Sequence, residues 1–160
     1  MKRIIAIVVV FVCLLSMSAC GNNTSDNVND TTPQETITTE SGMFENKVFT
    51  ADLPEGWKAT DDGVTVVFDR KTSNGNIVKI TYKTDETSTA NDIISGIANG
   101  ATIEDVAFGQ NIFKQFVTKK SDGSDKTTLV TVSDGKSIIV EVDDIFAKDE
   151  FDLINSITVK

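Results

Sequence analysis

The residues whose types and spacing come closest to a reaction centre are carboxylates near the end of the chain. Asp143-Asp144, with Glu141 two residues earlier and Asp149-Glu150 shortly after, gather oxygen ligands of the kind Ca²⁺ takes, although the spacing matches no EF-hand loop. A solvated strand end followed by a helix cap accounts for the same residues. Asp122-Gly123-Ser124-Asp125 is a weaker calcium-like run that also serves as a plain hairpin loop, and Asp61-Asp62-Gly63 reads most simply as a turn. Paired carboxylates can hydrolyse glycosides, but that requires a cleft and an acid with a raised pKa. Trp57, with Tyr82 and Phe49, offers either a ligand surface or core packing.

The residue types that are missing restrict the chemistry further. There is no histidine, which removes a Ser-His-Asp triad, a histidine base and the usual zinc sites. There are two cysteines, Cys13 and Cys20. No glycine-rich phosphate loop or nucleophile elbow is present. An enzyme built from this chain would work mainly with carboxylates, lysines, hydroxyls and one tyrosine. No enzymatic activity, cofactor or metal is implied.

Cys20 stands in a different setting. Lys2 and Arg3 precede an unbroken apolar run from Ile4 to Leu15, and small residues surround Met17-Ser18-Ala19-Cys20-Gly21. The run is shorter than the roughly 20 apolar residues a membrane span needs. Residues 1–21 resemble a bacterial lipoprotein signal, with Met17 where leucine is commonest. The resemblance implies cleavage after Ala19 and a thioether-linked diacylglycerol on Cys20. It places the chain at the cell membrane, lipid-anchored on the extracytoplasmic face. Two or more acyl chains hold stably, because each buried methylene adds about 0.8 kcal/mol. Cys13 would leave with the signal, so the mature chain would hold no disulfide and no free thiol.

Loss of residues 1–19 removes Lys2 and Arg3 and no acid, leaving 13 basic against 24 acidic side chains, a net charge of −11. That balance speaks against nucleic acid, which needs a basic footprint, and Lys119-Lys120 is too short to supply one. Solubility of an exposed domain is the simplest use of the charge.

The elements that must position these residues begin after a polar stretch. Residues 20–43 read as the lipidated cysteine and a disordered tether, rich in Asn, Thr, Ser and acids. About 22 flexible residues span roughly 25 Å on average. Residues 44–160, about 117 in all, suffice for one core. Strands are expected at Lys47–Leu53, Val64–Asp69 and Asn76–Lys83, the last two around a turn at Lys71–Gly75. Further hairpins are expected at Ile103–Phe108 with Asn111–Thr118 and at Thr127–Val132 with Ser137–Val142. Ala90, Ile93, Ile94, Ile97 and Ala98 fall at helical spacing, with Thr89 as N-cap and Gly100 as stop. A short helix over Lys148–Asn155 is expected to turn Phe151 and Ile154 inward, with a last strand at Ile157–Val159.

This pattern predicts an α+β fold, an antiparallel sheet with one crossing helix and a short C-terminal helix. Phe49-Thr50-Ala51-Asp52-Leu53-Pro54-Glu55-Gly56-Trp57 is similar to the opening of PsbP-like and Mog1-like domains, and Phe151-Asp152-Leu153-Ile154-Asn155-Ser156-Ile157 to their close. The resemblance implies an α/β/α sandwich. Since that group serves unrelated roles, it implies no activity. The functional expectation is a membrane-anchored, non-enzymatic binding module whose partners are the membrane, through Cys20, and another envelope protein. The alternatives are a receptor for a small ligand or Ca²⁺, using Trp57 or Asp143 and Asp144, and a carboxylate-dependent hydrolase.

Overall fold

The computed structural model describes residues 36–70, 77–143 and 148–160. In chain order the strands are β1 (Ile37–Thr39), β2 (Met43–Glu45), β3 (Phe49–Asp52), β4 (Trp57–Asp61), β5 (Thr65–Arg70) and β6 (Val78–Lys83). Helix α1 (Ala90–Ile97) follows, then β7 (Glu104–Phe108), β8 (Asn111–Lys119), β9 (Asp125–Ser133), β10 (Lys136–Asp143), helix α2 (Lys148–Ser156) and β11 (Thr158–Val159).

Eight strands form one sheet in the order β1-β4-β5-β6-β10-β9-β8-β7, and β11-β3-β2 form a second. All pairings are antiparallel. Side-chain alternation gives the large sheet two different faces. Trp57 and Ala59 of β4, Val66 and Phe68 of β5, Val78, Ile80 and Tyr82 of β6, and Ile138, Val140 and Val142 of β10 are all buried in one core. The small sheet and α2 cover that face, contributing Phe44, Phe49, Leu153 and Ile154. Aromatic edges join the layers: Phe44 lies 5.5 Å from Phe68 and Phe49 lies 6.1 Å from Tyr82, both nearly T-shaped.

Helix α1 packs on the opposite face, where Ile94 and Ala98 meet Phe116 and Val130. Its start is a capping box. The Asp92 amide donates to Thr89 Oγ1 at 3.3 Å, and the Thr89 amide donates to Asp92 Oδ2 at 2.8 Å. Asn99 and Gly100, both at positive φ, end it. The β9–β10 hairpin turns through Asp134 (φ 49°) and Gly135 (φ 71°), the backbone signs of a tight two-residue turn.

The α+β expectation and its hairpin pairs hold in the described residues. The turn expected at Lys71–Gly75 lies outside them. The layer opposite α1 differs from a purely helical one, because it combines the three-stranded sheet with α2. Helix α2 is also rotated from its expected setting. Glu150, Leu153 and Ile154 are buried, while Phe151 is 47% exposed, its ring edge-on to Phe108 at 5.5 Å. The inward set thus follows i, i+3 and i+4 from Glu150. Ile37–Thr39, within the stretch expected as tether, pair with β4 because an existing sheet edge supplies the hydrogen bonds their own composition does not demand. Trp57–Asp61, expected only as an anchor and a turn, is a full strand between β1 and β5.

One glycine is dictated by close approach. A Cβ on Gly109, in the β7–β8 turn, would stand 2.3 Å from the Asn155 carbonyl oxygen, and its φ is +57°. The Gly109 amide donates to Asn155 Oδ1 at 2.8 Å, which locks the turn to the end of α2.

Candidate functional site

Of the site residues expected from sequence, Trp57 and Asp143 fall among the described residues and have separate partners. Cys20 and Asp144 lie outside the described residues. Trp57 is 1% exposed and belongs to the main core, so its ring presents no ligand surface. The Arg70 guanidinium lies 5.8 Å from the ring centroid and also pairs with Asp149. Tyr82 and Phe49, its expected companions, are buried as well.

Three carboxylates of the expected acidic cluster are each taken by a different cation. Asp143 pairs with Lys120 at 3.2 Å, Glu141 with Lys126 at 2.6 Å and Lys79 at 3.4 Å, and Asp149 with Arg70. Lys79 stands directly across the ladder from Glu141, so strand register itself supplies the counter-charge. Among the described residues no group of three or more Asp, Glu, Cys or His side chains is placed to hold a metal ion. Asp122 accepts from the Ser124 amide at 2.9 Å and hydroxyl at 2.6 Å, the contacts of a turn.

Among the clefts of the described residues, one borders Glu141 and another Asp61. The first lies on the α1 side of the sheet, about 200 Å³, where Glu141, Lys126, Thr81 and Thr128 meet Ile97, Phe116 and Ile139. Burial pushes the Glu141 carboxyl upward, but the hydrogen bond and charge of Lys126, with those of Lys79, outweigh it and hold the group below its ordinary range. This acid is an ionised partner to two lysines rather than a proton donor.

The second cleft, about 220 Å³, opens where the β2–β3 turn meets the end of β4. Its walls are Asn46, Asp61 and Tyr82, with Ile37, Glu45, Lys47 and Gly63 around them. Asp61 falls on the inward side of β4 with Trp57 and Ala59, and is 4% exposed. Its Oδ1 accepts from the Tyr82 hydroxyl at 2.8 Å and the Gly63 amide at 2.7 Å, while Oδ2 accepts from Asn46 Nδ2 at 3.1 Å. Asn46 Oδ1 in turn accepts the amides of Val48 and Phe49 at 2.9 and 3.0 Å, which fixes the side-chain amide facing Asp61. Burial, then the hydrogen bond and charge of Asp61, and then the charge of Asp62 push the Tyr82 hydroxyl well above its ordinary value of 10.0. The phenol therefore stays a donor at neutral pH.

Sequence reasoning treated Asp61 as a turn residue and missed this cluster. The available signal was the alternation Trp57, Ala59, Asp61, which sets a charge on an apolar face.

No family model matches the chain, and no curated protein matches it. Among solved structures, a crystal structure from Bacteroides thetaiotaomicron VPI-5482 is similar at 14% identity over 76% of this chain and 49% of that one, with a TM-score of 0.56. The chain therefore spans about half the length of that protein. The solution structure of cyanobacterial PsbP (CyanoP) from Synechocystis sp. PCC 6803 aligns over 72% of this chain and 95% of that one, at 14% identity and a TM-score of 0.39. The likeness to the Bacteroides structure is one of fold alone.

Proposed function

We propose that this chain is a lipoprotein held on the outer face of a membrane through Cys20, and that its folded part is a non-enzymatic binding module for another envelope protein. The observation that carries the anchoring is the order of residues 2–21: two basic side chains, an apolar run too short to span, small residues and a cysteine. No helix among the described residues is long and apolar enough to cross a membrane. A lipid on Cys20 would then be the membrane contact. The finer fold reading, a PsbP-like and Mog1-like α/β/α domain, rests on the Phe49–Trp57 and Phe151–Ile157 motifs.

The direction in which the shifted carboxyl groups of the described residues move speaks against a carboxylic-acid proton donor among those groups. Asp62, Glu86, Asp92, Asp122 and Glu141 are all moved downward. A carboxylic acid that protonates a leaving group needs the opposite shift. Glu86 shows the pattern most strongly. Hydrogen bonds from the Ser88 amide and side chain, together with Lys83, hold it at about 2.

Fractionation of cells expressing wild type and Cys20→Ser tests the anchor. Wild type is expected in the membrane pellet and the variant free of it or unprocessed; identical, cleaved and membrane-bound behaviour of both would contradict it. Crosslinking in the native envelope tests the module, which is expected to yield a discrete protein adduct. A second reading, a receptor for a small ligand, is favoured by the cleft over Asp61.

A further inference from the structure

Asp61 and its cleft carry a more specific reading that stands independently of the lipid anchor. A carboxylate removed from water is costly unless its charge is met. Asp61 is met only by neutral donors, a phenol, a backbone amide and a carboxamide. Among the described residues no lysine or arginine pairs with it, Lys47 on the cleft rim included. An ionised carboxylate offers about four acceptor positions. Among the described residues three are used, two of them on Oδ1, so Oδ2 keeps capacity for one further donor there.

The surroundings select the kind of donor. Glu45 on the rim adds a second carboxylate, which already draws the ammonium of Lys160 to 2.6 Å. Against one lysine in the lining, Lys47, the two carboxylates leave it net negative, which disfavours an anion. Ile37, 61% exposed, adds an apolar wall beside them. A volume of about 220 Å³ lies below the range of about 300–1,000 Å³ typical of drug-sized ligands, which restricts the occupant to a short molecule. The molecule's own Glu141 shows the arrangement a carboxylate in such a cleft can hold, with the Lys126 ammonium at 2.6 Å.

We infer that the cleft over Asp61 binds small primary ammonium compounds, the ammonium on Asp61 Oδ2 and the short alkyl chain against Ile37. Tyr82 and Gly63 hold Oδ1 and so aim the carboxylate, and Asn46 fixes its other oxygen.

Tyr82 is the one tyrosine of the chain and donates to Asp61, so it reports on the cleft directly. The test uses the full chain in detergent micelles, with tyrosine labelled by ¹³C at Cζ, titrated at constant ionic strength with n-butylammonium and separately with 1-butanol. The expected result is a shift of the single resonance that saturates by about 10 mM n-butylammonium, with none from 1-butanol. Asp61→Asn is expected to abolish the response. Should that variant melt early, Ile37→Lys on the exposed rim decides, since a fixed ammonium there should weaken binding about five- to ten-fold. No saturable shift in the wild type, an equal response to 1-butanol, or unchanged affinity in Ile37→Lys would overturn the inference.

Discussion

Asp61 and Glu141 sit on opposite faces of the same eight-stranded sheet, and each borders a cleft of similar size. Glu141 lies on the face where α1 packs, opposite Lys79 on one side and Thr128 on the other, and both Lys79 and Lys126 reach it. Asp61 lies on the face covered by the small sheet and α2, where the neighbours include Phe, Val and Tyr and, among the described residues, the donors bonded to it are neutral. The difference teaches that one residue class does two jobs here. The α1 face pairs Glu141 with two lysines. On the covered face Asp61 ties the β2–β3 turn, the end of β4 and β6 together.

The comparison breaks most visibly at Asp61. Replacing it with alanine strands the Tyr82 hydroxyl, the Gly63 amide and the Asn46 carboxamide, and is expected to cost about 3 kcal/mol in urea unfolding. A loss no greater than that of a surface substitution would place Asp61 with Glu141. Tyr82→Phe removes one donor and keeps the ring, so a loss of about 1 kcal/mol is expected.

That variant also sharpens the comparison through pH. The Tyr82 hydroxyl is raised above 10.0 in the folded state, so the unfolded chain loses its proton first. Its contribution is fully present below pH 10 and declines as pH rises beyond it. The stability difference between wild type and Tyr82→Phe should therefore shrink on the alkaline side alone, and tyrosinate absorbance should arrive with unfolding. Glu141 behaves in the opposite sense. Its carboxyl is lowered from 4.5, so its contribution is present above that value and lost as pH falls through the lower folded one.

Glu141→Gln is the smallest expected effect. The pair is partly exposed and screened by solvent, so about 0.5 kcal/mol is expected, declining further with added salt. A salt-insensitive loss as large as that of Asp61→Ala would end the distinction between the faces.

Much of the fold was legible because its signals are local. Thr89, Asp92 and Gly100 bound α1, and Asp134-Gly135 turns the β9–β10 hairpin. The Asp61 cluster was not legible, because Asn46, Asp61 and Tyr82 are separated by 15 and 21 residues and meet only through the pairing of β4, β5 and β6 and the docking of the small sheet. Strand β1 was hidden for a related reason. Three residues, Ile37-Thr38-Thr39, carry no periodicity, and only the edge of β4 gives them partners. The rotation of α2 was hidden by Glu150, an acid at an inward position that pattern reading assigns to solvent. Cys20 is the reverse case, since its proposed chemistry is read from contiguous residues and depends on no tertiary contact.

The central claim, that this domain is carried on a lipid, is tested most directly by mass spectrometry of the N-terminal peptide from membrane-extracted protein. The account predicts a chain beginning at Cys20 with a diacylglycerol on its sulfur. An unmodified Cys20 thiol, or a membrane-bound chain that retains residues 1–19, would contradict it.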